Sequence, residues 1–204
     1  VRLGITTAFG LYLTGKLGKL LEEHPDLSVE LVMRDGFGDL VEEGLDLAVR
    51  VGSIAEGSLI ARRLGSVRRY VVASSDYLAR RGTPVHPRDL LNHPCIAYSY
   101  GGSRHDWHFD CKGEENVVAA SGPFRANSSE AVLQAVRSGL GIGMLPSFQV
   151  EEDVASGRLI HLFPEWTVPE MPFYAVHTGP RTLALRPRTV LDFLIDISEV
   201  LRHG

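Results

Sequence analysis

Residues 126–148 read ANSSEAVLQAVRSGLGIGMLPSF. Short polar residues come first, then an apolar helical pattern, three alternating glycines and a proline. A helix start beside a glycine-spaced strand could serve as a nucleotide loop, a catalytic turn or a pocket for a small ligand. Asn127 or Ser128 is expected to cap the helix, because a short side-chain oxygen accepts an otherwise unpaired backbone N–H. Asn127 and Glu130 have the spacing of a capping box. Ala131, Val132, Ala135 and Val136 form one apolar stripe, and Gly139 suits the left-handed residue that ends a helix. Ile142–Leu145 reads as a short buried strand that Pro146 closes. The first turn of such a helix turns its N–H groups toward an anion or carboxylate. Caps and water are the competing way to satisfy those groups.

The order of elements argues against a nucleotide loop. A dinucleotide fingerprint runs strand, glycines, helix, so that the phosphate meets the helix start. Here the glycines follow the helix, and Gly139, Gly141 and Gly143 lack the third-glycine offset. Another cluster, HDWHFDC at 105–111, contains metal-ligand types. On a strand, however, His105, Trp107, Phe109 and Cys111 share one face, while Asp106, His108 and Asp110 share the other. The first set reads as packing and the second as a solvated face, so no metal or cofactor is assigned. No Gly-x-Ser-x-Gly turn occurs, and YSYGGS offers hydroxyls without an evident base. The carboxylate pairs Glu22–Glu23, Glu42–Glu43, Glu114–Glu115 and Glu151–Glu152 read as surface residues. No catalytic residue is assigned, and the chain is not expected to be an enzyme.

The composition is that of a soluble globular protein: 204 residues, 44% hydrophobic and 23% charged. No apolar run approaches a membrane span, and no secretion leader is visible. The formal net charge of −4 argues against a DNA-gripping surface, which is ordinarily basic. Specific DNA binding by this chain alone is therefore not expected. Arg62–Arg63, Arg68–Arg69 and Arg80–Arg81 read as solvated faces. Cys95 and Cys111 are too few for a disulfide framework, which fits a reducing compartment. The chain opens on Val, which suggests a fragment of something longer, or a processed protein.

The elements that must position the ANSSEAV segment follow from periodicity. Val1–Thr6, Ser28–Met33 and Leu45–Val51 read as strands. A helix carrying Leu13, Leu17, Leu20 and Leu21 runs up to Pro25, and a short one begins at Asp39–Glu43 and stops at Gly44. This is βαβαβ, which implies a mostly parallel sheet. LIARRL and RYVVAS are extended runs with no helix between them, so the chain could cross there to a second lobe. Helices follow at Ser75–Arg81, Pro87–Leu91 and Ser147–Ser156, with strands at Cys95–Ser99 and Arg158–Phe163. Val117–Ala126 leads into the opening segment. FPEWTVPEMP at 163–172 is a proline-rich connector. Phe173–His177 resumes as a strand, and the last helix carries Val190, Leu191, Leu194, Ile197 and Leu201 on one stripe, with Pro187 near its start.

Two α/β lobes joined by two crossover strands, with a cleft between them, are the simplest arrangement. The boundaries read as 1–66 with 168–204 for the first lobe and 67–167 for the second. Ligands of open α/β sheets sit beyond the carboxyl ends of the strands. The residues expected to line the cleft in the first lobe are Thr6, Thr7, Phe9, Arg34, Gly36 and Arg50. In the second they are Ser74, Tyr98, Tyr100, Asn127, Ser128 and Pro146. Hydroxyls, amides and arginines in one place suit a small polar or anionic molecule.

The segments VRLGIT, EEHPDLSVEL, DGFGDLVEEGLDLAVRVG, LIARRLGSVRRYVVASSDYLARRG, LLNHPCI and ANSSEAVLQAVRSGLGIGMLPSF occur in this order along the whole chain. In them the chain resembles the effector-binding domain of LysR-type transcriptional regulators, most specifically in LDLAVRVG and GLGIGMLP. Thr14–Gly15 stands where Leu-Pro is common in that family. The resemblance implies two Rossmann-like lobes of periplasmic-binding-protein type. It implies a small effector, often a metabolite bearing a carboxylate, that changes lobe closure and so DNA contacts. It further implies a cytoplasmic protein with an N-terminal winged helix-turn-helix outside this chain, through which alone DNA is bound. Homodimers would form through the first helix and the helix near Ser147, or through neighbouring strand edges, with a tetramer of the longer protein as an alternative. A solute-binding protein for transport, or an enzyme on the same architecture, are the competing readings.

Overall fold

The computed structural model describes residues 1–36, 40–52, 59–99, 106–178 and 183–203. Chain order begins with β1 (Arg2–Ile5), α1 (Thr7–Thr14), α2 (Leu17–Glu23), β2 (Glu30–Met33), β3 (Leu47–Val51) and β4 (Ile60–Val67). Then come β5 (Arg69–Ser74), α3 (Ser75–Arg81), a 3-10 turn (Pro87–Asn92), β6 (Cys95–Tyr98), β7 (Asp106–Cys111), β8 (Glu114–Ala119) and β9 (Arg125–Ala126). The chain continues through α4 (Ser129–Arg137), β10 (Ile142–Pro146), α5 (Ser147–Ala155) and β11 (Leu159–Leu162), and ends with β12 (Met171–His177) and α6 (Leu185–His203). Two compact units result, Val1–Val67 with Met171–Gly204, and Arg68–Glu170.

The first unit is a five-stranded sheet in the order β2-β1-β3-β12-β4. β1 runs parallel to β2 and to β3, and β12 runs antiparallel to β3 and β4. The chain therefore steps from β1 outward to β2 and then back to the other side of β1. Such a reversal of strand order opens a crevice at the carboxyl ends of the strands. The apolar run of β3 is buried at Leu47, Ala48 and Val49, as a strand covered on both faces requires. α6 belongs to this unit. Its stripe residues Val190 and Leu194 are fully buried, and the Ser198 hydroxyl donates to the Leu64 carbonyl of β4 at 3.0 Å.

Two helical expectations are corrected here. The helix leading to Pro25 is two helices, α1 and α2, broken at Gly15 and Lys16. Only Leu13 and Leu20 of its leucine stripe are buried, and Leu21 is exposed, so the stripe does not run as one face. The short helix at 39–43 is a turn over the described residues 40–44, closed by Leu45 N–H donating to the Leu40 carbonyl at 2.9 Å. Asp39 lies outside the described residues. Gly44 does take a left-handed φ of 61° there.

The second unit holds a five-stranded sheet in the order β11-β5-β10-β6-β9 and a separate hairpin, β7–β8. β10 is parallel to β6, and β6 to β9, whereas β5 runs antiparallel to β10 and β11. The hairpin turns on Lys112 and Gly113, both at positive φ, the geometry that matches strand twist in a two-residue turn. Trp107 and Phe109 point inward into a core with Tyr77, Leu90, Cys95 and Phe163, while Asp106 and His108 are exposed. The alternation expected of HDWHFDC is thus realised from Asp106 to Phe109, whereas Asp110 and Cys111 are both half-buried; His105 lies outside the described residues. The stretch expected only to lead into α4 instead contributes β8 and β9.

Candidate functional site

α4 begins where the sheet of the second unit ends. β9 pairs with β6 through Ala97–Arg125 and Tyr98–Ala126, and Ser99 N–H donates to the Ala126 carbonyl at 2.7 Å. The chain therefore leaves the sheet at Ala126 and turns into the helix at Ser128. Ser128 is the N-cap residue in extended conformation, but its side chain makes no capping hydrogen bond. The expected capping box does not form, because Glu130 is engaged elsewhere. Its two carboxylate oxygens accept from Gln134 Nε2 at 2.8 Å and from Gln149 Nε2 at 3.2 Å. Asn127 is exposed and Ser128 half-buried. The other end of α4 matches expectation. Gly139 has φ 70°, its N–H bonds the Val136 carbonyl, and Leu140 N–H bonds the Ala135 carbonyl. This pair of bonds is a Schellman motif.

Tyr98 at the end of β6 and Pro146 at the end of β10 lie at the same edge of the sheet as Asn127 and Ser128. Ser74 does not. β5 is antiparallel to β10, with Gly143 opposite Val72, so Ser74 falls at the other edge. There its buried hydroxyl caps α3, accepting from Tyr77 N–H at 3.3 Å. The start of β5 comes to the Pro146 edge instead. Arg69 donates from Nε and Nη2 to the Pro169 carbonyl at 3.2 and 2.7 Å, and Ser147 N–H donates to the Arg68 carbonyl. Burial holds the Arg69 guanidinium below its ordinary pKa. Arg68 and Arg69 are half-buried, not the solvated pair the sequence suggested. Arg68 Nε and Gln149 Oε1 are buried without a protein partner among the described residues; the sequence pattern read Arg68 as solvated and did not mark Gln149. Tyr100 lies outside the described residues.

In the first unit, Thr6, Thr7, Arg34, Gly36 and Arg50 stand at the carboxyl ends of β1, β2 and β3. Thr6 is the N-cap residue of α1 without a side-chain cap bond. Thr7 N–H donates instead to Asp35 Oδ1 at 2.7 Å. Arg34 is tied to Glu43 at 2.6 Å, and Arg50 Nη1 donates to the Gly36 carbonyl at 3.1 Å. Phe9 is core: it is buried, lies parallel to Tyr12 and meets Phe173 edge-on. Asp35 is the functional-site candidate that sequence reasoning missed. Its position directly after β2, at a parallel strand's carboxyl end, was the available signal.

Nothing in these arrangements resembles an activated nucleophile. Cys95 is buried, and burial pushes its thiol up to about 11 against the opposing Ser121 backbone hydrogen bond, so it stays protonated at neutral pH. Among the described residues no group of three His, Cys, Asp or Glu side chains converges as metal ligands would. No helix among them is long and apolar enough to cross a membrane.

The LysR substrate binding domain family model matches residues 1–198. The transcriptional regulator CrgA of Neisseria meningitidis serogroup C is 37% identical over 180 residues, covering 87% of this chain and 60% of the relative. The transcriptional activator AaeR of Escherichia coli K12 is 33% identical over 187 residues, covering 90% of this chain and 60% of the relative. The chain thus spans about three fifths of the length of these relatives. The solved CrgA regulatory domain superposes with a TM-score of 0.86 at 34% identity, covering 97% of both chains. The effector domain of AmpR from Pseudomonas aeruginosa shares the fold, with a TM-score of 0.81 at 21% identity, covering 98% of this chain and 95% of that one. From its first strand to its last helix, the chain belongs to the LysR substrate-binding domains, the regulatory, effector-binding part of LysR-type transcriptional regulators.

Proposed function

We propose that this chain senses a small organic effector through the start of α4 in the second unit, with Asn127, Ser128, Tyr98 and Pro146. The observation that carries the reading is the start of α4. Ser128 occupies the N-cap without capping, at the carboxyl edge of a parallel strand pair, β6 and β10. A hydroxyl not spent on its own helix can accept or donate to a ligand. The adjoining helix start favours negative charge by roughly 0.3–1 kcal/mol where exposed, and more where partly buried. A carboxylate group of the effector belongs here. Ser74 and Phe9 stand apart from this set, the first because it caps α3 at the far edge, the second because it is core.

In the longer protein the effector would act on an N-terminal DNA-binding domain in the cytoplasm, and the regulatory domain would pair as a homodimer. Kinship with CrgA and AaeR, both transcriptional regulators, supports this and leaves the transport and enzyme readings without support.

A thermal-shift screen of small organic acids identifies the effector. At a hundred times its dissociation constant it adds about 2.7 kcal/mol of stability. Ser128→Leu then abolishes measurable binding by calorimetry while the melting temperature of the free chain holds. Ser128→Ala, which leaves the backbone donors, weakens binding by about 0.5–1.5 kcal/mol, the worth of one hydrogen bond. Unchanged affinity in both variants would mean that the start of α4 is only a structural turn.

A further inference from the structure

The hairpin β7–β8 carries a groove of about 310 Å³, which lies wholly within the second unit and shares no lining residue with the start of α4. Its floor is the outer side of the ladder, where His108 stands opposite Val117 and Asp110 opposite Glu115. Its wall is the connector from Thr167 to Pro169, and that wall is pinned at both ends. Asp110 and Thr167 exchange both backbone hydrogen bonds, at 2.9 and 2.8 Å. The Pro169 carbonyl accepts from Arg69 at 2.7 Å, and Val168 packs against the core of the hairpin. The groove is therefore formed before any ligand arrives.

Two like charges stand at the closest position this ladder offers. The backbone groups of Asp110 bond Thr167, so toward β8 the pair Asp110–Glu115 is a non-hydrogen-bonded one. Side chains of such a pair approach more closely than those of a hydrogen-bonded pair. Like charges directly opposite each other destabilise a hairpin. Among the described residues neither carboxylate has an ion-pair or hydrogen-bond partner, and Lys112 in the adjoining turn pairs with neither. Asp110 is half-buried, so water screens it less than a free surface carboxylate.

We propose that this groove binds a small organic cation, an ammonium or guanidinium group on an aliphatic stem. The head lies between Asp110 and Glu115, where one positive charge relieves the repulsion and donates to both carboxylates. The stem runs toward Val117 and lies against Val168 and Pro169. Residues two apart on a strand are separated by roughly 7 Å, the reach of a stem of about five carbons. A metal ion does not fit the groove, because His108, Asp110 and Glu115 do not converge as metal ligands would.

The test titrates pentylamine into the chain by calorimetry, with methylamine as the head alone and pentanol as the stem alone. Pentylamine should bind about tenfold or more tighter than either. Asp110→Asn with Glu115→Gln keeps the shape and removes both charges. In that double variant pentylamine affinity falls about tenfold, while the free chain melts at the same or a higher temperature because the repulsion is gone. Val117→Ser weakens pentylamine several-fold and leaves methylamine unchanged. Amide resonances that move with pentylamine should cluster at residues 106–117 and 167–169. Should the double variant melt early, Val117→Ser and the resonance map decide in its place. The proposal is overturned by no binding at millimolar pentylamine, by pentanol binding as tightly, or by shifts centred elsewhere. Affinity unmoved in a stable double variant, or in Val117→Ser, overturns it as well.

Discussion

Asp153→Ala destabilises the second unit by about 3 kcal/mol, the low end for breaking a buried ion pair. Asp153 is 1% exposed and is held by two arginines. Arg137 donates from Nε and Nη2 to Oδ2 at 2.8 and 2.6 Å, and Arg158 donates from Nε to Oδ1 at 2.6 Å. The three groups join the end of α4, the body of α5 and the turn before β11. The effect stays at the low end because the arginines left behind are 38% and 65% exposed and recover water. The reverse deletion is worse in kind. Arg137→Met together with Arg158→Met strands a buried carboxylate, which should cost about 3–5 kcal/mol. Urea melts at neutral pH, followed by a probe in the second unit, check both. A loss under about 1 kcal/mol in the double variant would mean that the carboxylate relaxes into water.

The same triad sets an acid limit. Burial opposes ionisation of Asp153, but the hydrogen bonds and charges of Arg137 and Arg158 outweigh it and hold the carboxyl below its ordinary value. The unfolded chain therefore takes up this proton at a higher pH than the folded chain does. The triad's contribution is complete above the unfolded value, near ~4, and is lost as pH falls through the depressed folded value. Wild type should lose stability relative to Asp153→Ala across that acid window and keep its lead above it. A constant difference between pH 7 and acid would show that the carboxyl is not depressed.

The triad also marks where sequence reading reached its limit. Glu151 and Glu152 read correctly as surface residues, and both are exposed. Asp153 follows them, yet it shares the inward face with Val150, three residues back. Charge alone suggested solvent, whereas helical period suggested burial. Its partners come from residues 137 and 158, and no local pattern links those positions. Asp35 was missed for a similar reason, since its bond to Thr7 spans 28 residues. What local rules do control was legible. α3 spans Ser75–Arg81 as its sequence suggested, and Gly139 ends α4 because a left-handed residue is needed there. The break between α1 and α2 was not legible from leucine spacing, which continues across Gly15 as though one helix ran through it. Nor was the β7–β8 hairpin, because pairing across a turn is set by register as much as by either strand alone.

Gly141→Ala should cost about 4 kcal/mol or more, the range reserved for changes that nothing nearby can absorb. A Cβ at Gly141 would stand 2.3 Å from the Pro94 carbonyl oxygen and 3.1 Å from its carbon. That oxygen is the acceptor for Ile142 N–H at 2.9 Å, the first bond between β10 and β6. Backbone cannot rotate out of the way as a side chain does, so the strands must part where the sheet begins. Gly143, two residues on, makes the instructive contrast. Its Cβ would stand 2.6 Å from Val136 Cγ2, on the inward face of α4. Here the obstacle is a methyl group. Gly143→Ala alone should cost about 1–3 kcal/mol by overpacking. Val136→Ala in the same chain removes that methyl, so the pair should be less unstable than the two single losses added. No side-chain change opposite Gly141 can give the same relief. Gly143 thus fixes how closely α4 lies on β10, and with it the position of Ser128 at the start of that helix. Gly143→Ala should therefore weaken effector binding as well as stability, and Val136→Ala should recover part of both. A rescued melting temperature with binding still lost would show that the position of α4, more than its stability, governs the site.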